Sequence, residues 1–85
     1  DVYKRQNPET KIKFSTERES DVQVTIYSLI GEKVQTIQNG QLNAGNHNLS
    51  WYGKDQSGNK VPSGVYFYEV KSDNRTATGK MLLLK

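Results

Sequence analysis

An all-β fold of two thin sheets is what this 85-residue sequence predicts. Three observations carry that reading. Apolar and polar residues alternate in short runs, and no stretch keeps a helical period over a useful length. The runs recur about every ten residues with Gly, Asn and Asp between them, the spacing of all-β domains. The third observation is Ala44 to Tyr68, which holds the only Trp, three of the five Tyr and four of the seven Gly. It reads as a strand, a turn-rich connection and a second strand, and the rest of the chain is organised around it.

Asp1 to Gln6, at the start, shares no pattern with the rest of the chain and reads as a linker or a remnant foreign to the natural protein. The domain is expected over residues 7–85, opened by a turn at Asn7-Pro8. Lys11 to Ser15 is a half-buried strand with Ile12 and Phe14 inward. Val22 to Tyr27 is a second, with Val22, Val24 and Ile26 inward and Gln23 and Thr25 outward, and Gly31 gives the next hairpin its positive φ. Val34 to Gln38 is the third. Its period slips between Val34 and Ile37, which points to a bulge or a sheet edge. Asn39-Gly40 and Ala44-Gly45-Asn46 read as turns with Leu42 between them. His47 to Trp51 is the fourth strand, with Leu49 and Trp51 on one face. Val65 to Lys71 is the fifth, with Tyr66, Tyr68 and Val70 sharing a face. Ser72 to Arg75 is a hairpin tip, and Thr76 to Leu84 is the last strand. About seven short strands of this kind fit an immunoglobulin-like β-sandwich without a disulfide, with a small barrel as the runner-up.

Bulk composition narrows the classes. The chain supports one small domain with a thin core, because only 33% of its residues are hydrophobic. There is no cysteine, which excludes disulfides and thiolate chemistry. The net charge of +3 comes from interspersed acids and bases rather than a basic stripe, so no nucleic-acid partner is expected. No apolar run approaches the ~18 residues of a membrane span.

Residue chemistry offers few sites. His47 is the only histidine and shares a strand with Leu49 and Trp51, so it reads as structural. Asp55 to Asn59 lacks the ligand spacing of a calcium loop and reads as a turn in which Asp55 bonds its own backbone. No serine stands in a nucleophile context with a base and an orienter. No catalytic residue, cofactor or metal is expected. Tyr52 and Phe67 are the candidates for an exposed sugar-stacking surface, with carbohydrate as the ligand class. The last stretch is the anomaly: Met81, Leu82, Leu83 and Leu84 follow one another between Lys80 and Lys85. Either both faces of that strand are covered, or its outer face is meant for another protein.

The fixed spacings complete a pattern. It runs Asn7-Pro8-x-Thr10-x-Ile12-x-Phe14, then Val22-x-Val24-x-Ile26-Tyr27 with Gly31 and Val34. It continues through Ala44-Gly45-x-His47-x-Leu49-x-Trp51-x-Gly53-x-Asp55-x-x-Gly58-x-x-Val61-x-Ser63-Gly64-Val65-Tyr66-x-Tyr68 to Lys80-Met81-x-Leu83-x-Lys85. This resembles the type A C-terminal sorting domain of the type IX secretion system. It is also similar to the immunoglobulin-like domain of flagellar hook-capping proteins, which shares the general pattern. The first resemblance implies a non-enzymatic sorting module that follows a parent cargo protein and is read by outer-membrane secretion machinery. The destination would be the cell surface, by way of the periplasm. It places receptor contacts on Gly64, Val65 and Tyr66 and on Lys80, Met81, Leu82, Leu83, Leu84 and Lys85. The alternative implied is an immunoglobulin-like accessory domain, structural or carbohydrate-binding, of a secreted enzyme or a hook-capping-like scaffold. Two positions depart from the sorting pattern: Thr16 and its neighbours replace a common Leu-Pro, and Tyr52 stands where an Asp is usual.

Overall fold

Six antiparallel strands fill most of the chain in the computed structural model, which describes residues 10–73 and 75–84. They are β1 (Thr10–Thr16), β2 (Ser20–Tyr27), β3 (Lys33–Leu42), β4 (Gly45–Trp51), β5 (Gly64–Ser72) and β6 (Arg75–Leu83). β1 and β4 form one sheet, and the other has the order β3-β2-β5-β6. Between β4 and β5 the chain adds only an isolated bridge, Lys54 to Lys60. The expected turn at Asn7-Pro8 and the segment Asp1 to Gln6 lie outside the described residues.

Period-2 alternation puts one face of each sheet in the interior. Ile12 from β1 and Trp51 from β4 come from the smaller sheet, and Val22, Val24, Ile26, Tyr66, Val70 and Leu83 from the larger; all eight are buried. Phe14, Leu49, Tyr68 and Met81 pack around them. The inward residues expected for these strands therefore face the core. Thr25 alternates to the outer face, as its position between Val24 and Ile26 requires, yet it is buried too. It lies mid-sheet with Thr36 and Glu69 on the two flanking strands.

β3 shows why its period slips. Its register against β2 shifts twice, between Val24 and Thr25 and between Ile26 and Tyr27. Each shift leaves an extra residue on β3, which lets Val34 and Ile37 both pack on the core although they are three apart. β3 is also an edge of its sheet.

Two expectations are corrected. Asn39-Gly40 is no turn: Asn39 pairs with Gln23 and Gly40 with Val22, so β3 runs on to Leu42. The cross-strand ladder outweighs the local turn preference of the dipeptide, and the chain reverses instead at Asn43 and Ala44, with Gly45 at φ 125°. The Met81 to Leu84 stretch is not covered on both faces. Leu83 is buried and Met81 half-buried, whereas Leu82 and Leu84 are 57% and 68% exposed.

Candidate functional site

The two stretches singled out at the end of the domain are brought together by the β5–β6 ladder. Gly64 pairs with Leu83, Val65 with Leu82, Tyr66 with Met81 and Phe67 with Lys80. Alternation divides them between two faces. Tyr66, Met81 and Leu83 turn to the core, while Val65, Lys80 and Leu82 lie on the outer face of the sheet. Leu84 follows β6 and is exposed, and Lys85 lies outside the described residues. The result is a corner with an ordered interior and an apolar exterior.

The interior is built by two aromatic side chains from opposite sheets. Trp51 and Tyr66 meet edge to face, ring centroids 4.9 Å apart and planes at 66°. Each also ties down the connection between their strands. Trp51 Nε1 donates to the Lys54 carbonyl at 2.9 Å, and the Tyr66 hydroxyl donates to the Pro62 carbonyl at 2.6 Å. Burial raises the Tyr66 phenol above its ordinary value of 10.0. Gly53 closes the corner from above. It sits at φ +72°, and a Cβ there would come within 2.9 Å of Leu83 Cδ2. Gly79 has a similar role further along β6, where the Tyr68 ring lies in the space a side chain would take.

Polar groups that could carry chemistry are engaged locally. The His47 ring stacks obliquely on Phe14 at 5.3 Å, and its Nε2 donates to the Asn43 carbonyl at 2.7 Å. Asp55 Oδ1 accepts from the Ser57 and Asn59 backbone N–H groups, both at 2.9 Å, in agreement with the turn reading. The same turn reaches β3: Gln56 N–H donates to the Val34 carbonyl, and Thr36 N–H donates to Gln56 Oε1. Phe67 is half-buried between Tyr27 and Lys80 on the outer face of the larger sheet. Tyr52 is exposed just beyond β4 of the other sheet, so the two candidate stacking residues belong to different sheets. Among the described residues no helix is long and apolar enough to cross a membrane.

Sequence reasoning missed the approach of Gly53 to Leu83 and the bonding of Gln56 to β3, because neither leaves a local pattern. The β2–β3 turn expected at Gly31 is present, with Gly31 at φ 89°. There Gly31 N–H donates to the Ser28 carbonyl and Ser28 N–H to the Glu32 carbonyl, holding a tight turn that leaves Leu29 and Ile30 exposed.

Known proteins share this architecture. A family model described as the FlgD Ig-like domain matches residues 1–76. The chain is similar to the basal-body rod modification protein FlgD of Salmonella typhimurium, 38% identical over 53 residues. The FlgD of Salmonella typhi matches equally. These matches cover 62% of this chain and 23% of each relative. The crystal structure of FlgD from P. aeruginosa superposes with a TM-score of 0.70 at 32% identity, over 88% of this chain and 59% of that one. The chain thus spans about a quarter of the curated relatives and somewhat over half of the solved structure. These matches correct the sorting expectation. The model that fits most of the chain is flagellar, as are the relatives, so the type IX secretion signal and its secreted, cell-surface destination are withdrawn. Of the apolar residues that suggested a sorting tail, Leu83 is buried by β6, and Leu82 and Leu84 stay exposed.

Proposed function

Because the chain belongs to the FlgD Ig-like domain family, we propose that it is a non-enzymatic structural module of a flagellar hook-capping type of protein. The family match over residues 1–76 carries this reading. The site geometry supports it. The His47 ring, the Asp55 carboxylate and the Tyr66 hydroxyl all bond backbone groups of their own neighbourhood, which stiffens the sandwich. A stiff body of this kind fixes the positions of other protein surfaces relative to one another.

The corner formed by Gly64, Val65 and Tyr66 with Lys80, Met81, Leu82, Leu83 and Leu84 is the protein-contact surface in this proposal. Leu82 and Leu84 are its exposed apolar residues, and Lys80 borders them. Apolar side chains with a polar rim are the usual anatomy of such a contact. The partners are flagellar proteins and the remainder of a longer hook-capping-type chain.

The test is a graft. The matching segment of Salmonella typhimurium FlgD is replaced by this chain in a strain lacking its own FlgD. Swimming in soft agar supports the proposal. A chimera that accumulates and folds yet leaves the cells without hooks sinks it.

A further inference from the structure

The two outer edges of the four-stranded sheet are treated differently. β3 is bulged twice, and its edge is occupied by Gln56, which bonds both Val34 and Thr36. β6 pairs with β5 in one unbroken register from Ser72–Arg75 to Gly64–Leu83, and among the described residues no strand pairs with its other side. A long, unbulged edge of this kind is a template for strand addition, which bulges and covering groups normally prevent.

That edge borders a groove. β1 pairs only with β4 among the described strands, so it too has an open side. The two strands touch at one end, where the Thr10 hydroxyl donates to the Leu82 carbonyl at 3.4 Å. Towards the other end lies an open groove of about 900 Å³, with Phe14, Val70 and Ala77 among its lining residues. At its mouth stand two ion pairs, Glu17–Arg75 at 3.9 Å and Arg18–Asp73 at 4.0 Å. Both are solvent-exposed and contribute little, so they present no barrier to an entering chain.

We propose that this groove takes an extended peptide segment of a partner protein, which pairs along the edge of β6 as a seventh strand. Phe14, Val70 and Ala77 form an apolar strip in a lining that is otherwise Ser, Thr and charged residues, and the segment meets that strip with apolar inward side chains. Charge sets the other face of the segment. Glu17, Asp73 and Glu69 are already paired with Arg75, Arg18 and Lys71. Lys11 and Lys13 on β1 and Lys80 on β6 make no ion pair among the described residues. The surplus along the two open strands is therefore positive, and the outward side chains of the segment are acidic.

The experiment uses the full 85-residue chain, isotope-labelled, and a synthetic peptide of alternating Glu and Val with blocked ends. Binding is followed by nuclear magnetic resonance, with amide exchange measured along β6 in the free and saturated protein. The expected result is slowed exchange of alternate β6 amides between Arg75 and Lys80. Methylating the peptide's backbone nitrogens should abolish the effect. Lys80→Glu should weaken binding about fivefold or more at low salt and favour a Lys-Val peptide instead. Lys80 is exposed, so that variant retains the fold, which the Trp51 fluorescence checks. No binding up to the peptide's solubility limit, equal binding by the methylated peptide, or binding that leaves β6 exchange unchanged would each overturn the proposal.

Discussion

Trp51 of β4 and Tyr66 of β5 cross edge to face at 4.9 Å, and each donates a hydrogen bond to the connection that joins their strands. One contact therefore holds the two sheets together and fixes both ends of the longest loop. Trp51→Ala removes the largest fully buried side chain of the core. The expected loss is about 3–5 kcal/mol, by urea or thermal unfolding. For a domain this small that is most of its stability. A variant that unfolds at the wild-type midpoint would show that the sheets are held elsewhere.

Tyr66→Phe keeps the ring contact and removes only the hydroxyl. The Pro62 carbonyl then loses its partner, at an expected cost of about 1 kcal/mol at neutral pH. The variant also changes the alkaline limb. The folded phenol titrates above its unfolded value, so its contribution is complete below about pH 10 and is lost as pH rises through the folded value. Wild type should lose stability more steeply than Tyr66→Phe above pH 10. Parallel curves would mean that the hydroxyl titrates alike in both states.

Gly53 and Gly79 both face aromatic or aliphatic side chains, and they should respond unequally to a methyl group. At Gly53 the backbone is left-handed, and Leu83 is buried and cannot retreat. Gly53→Ala should cost about 2–4 kcal/mol. At Gly79 the obstacle is the outer end of the Tyr68 ring, which is half-buried and can swing aside. Gly79→Ala should be the milder of the two in the same unfolding assay. The reverse order would move the tight point of the corner from the loop to the strand.

Much of this arrangement was legible in the sequence. The phases of β1, β2, β4 and β5 followed from alternation alone, and the slip between Val34 and Ile37 pointed to a bulge or an edge, of which β3 has both. Asn39-Gly40 misled because a dipeptide reports its local preference, whereas its pairing with Gln23 and Val22 is set by residues far away in the chain. The Met81 to Leu84 run hid its period because the exposed positions are leucines too. Only burial separates Leu83 from Leu82. The meeting of Gly53 with Leu83 left no local trace, since neither residue's surroundings encode the other. The motif from Trp51 to Tyr66 was legible as a pattern, yet two families share it, and the extent of the FlgD match separates them.

Asp55→Ala should loosen the turn that covers β3. Its carboxylate accepts from Ser57 and Asn59, so the expected cost is about 1–2 kcal/mol. Asp55→Asn keeps an acceptor oxygen and should recover most of it. Equal losses in the two variants would assign the effect to charge and not to the turn bonds.

The most direct measurement is the Salmonella graft carrying Leu82→Asp and Leu84→Asp together, with hooks counted by electron microscopy. Both leucines are exposed, so the sandwich should fold as before. Hooks are expected with the unmodified graft, and their loss is expected in the double variant at equal protein level. Equal hook numbers in both would remove the corner from the contact surface, and no hooks in either, with the chimera folded, would contradict the structural role itself.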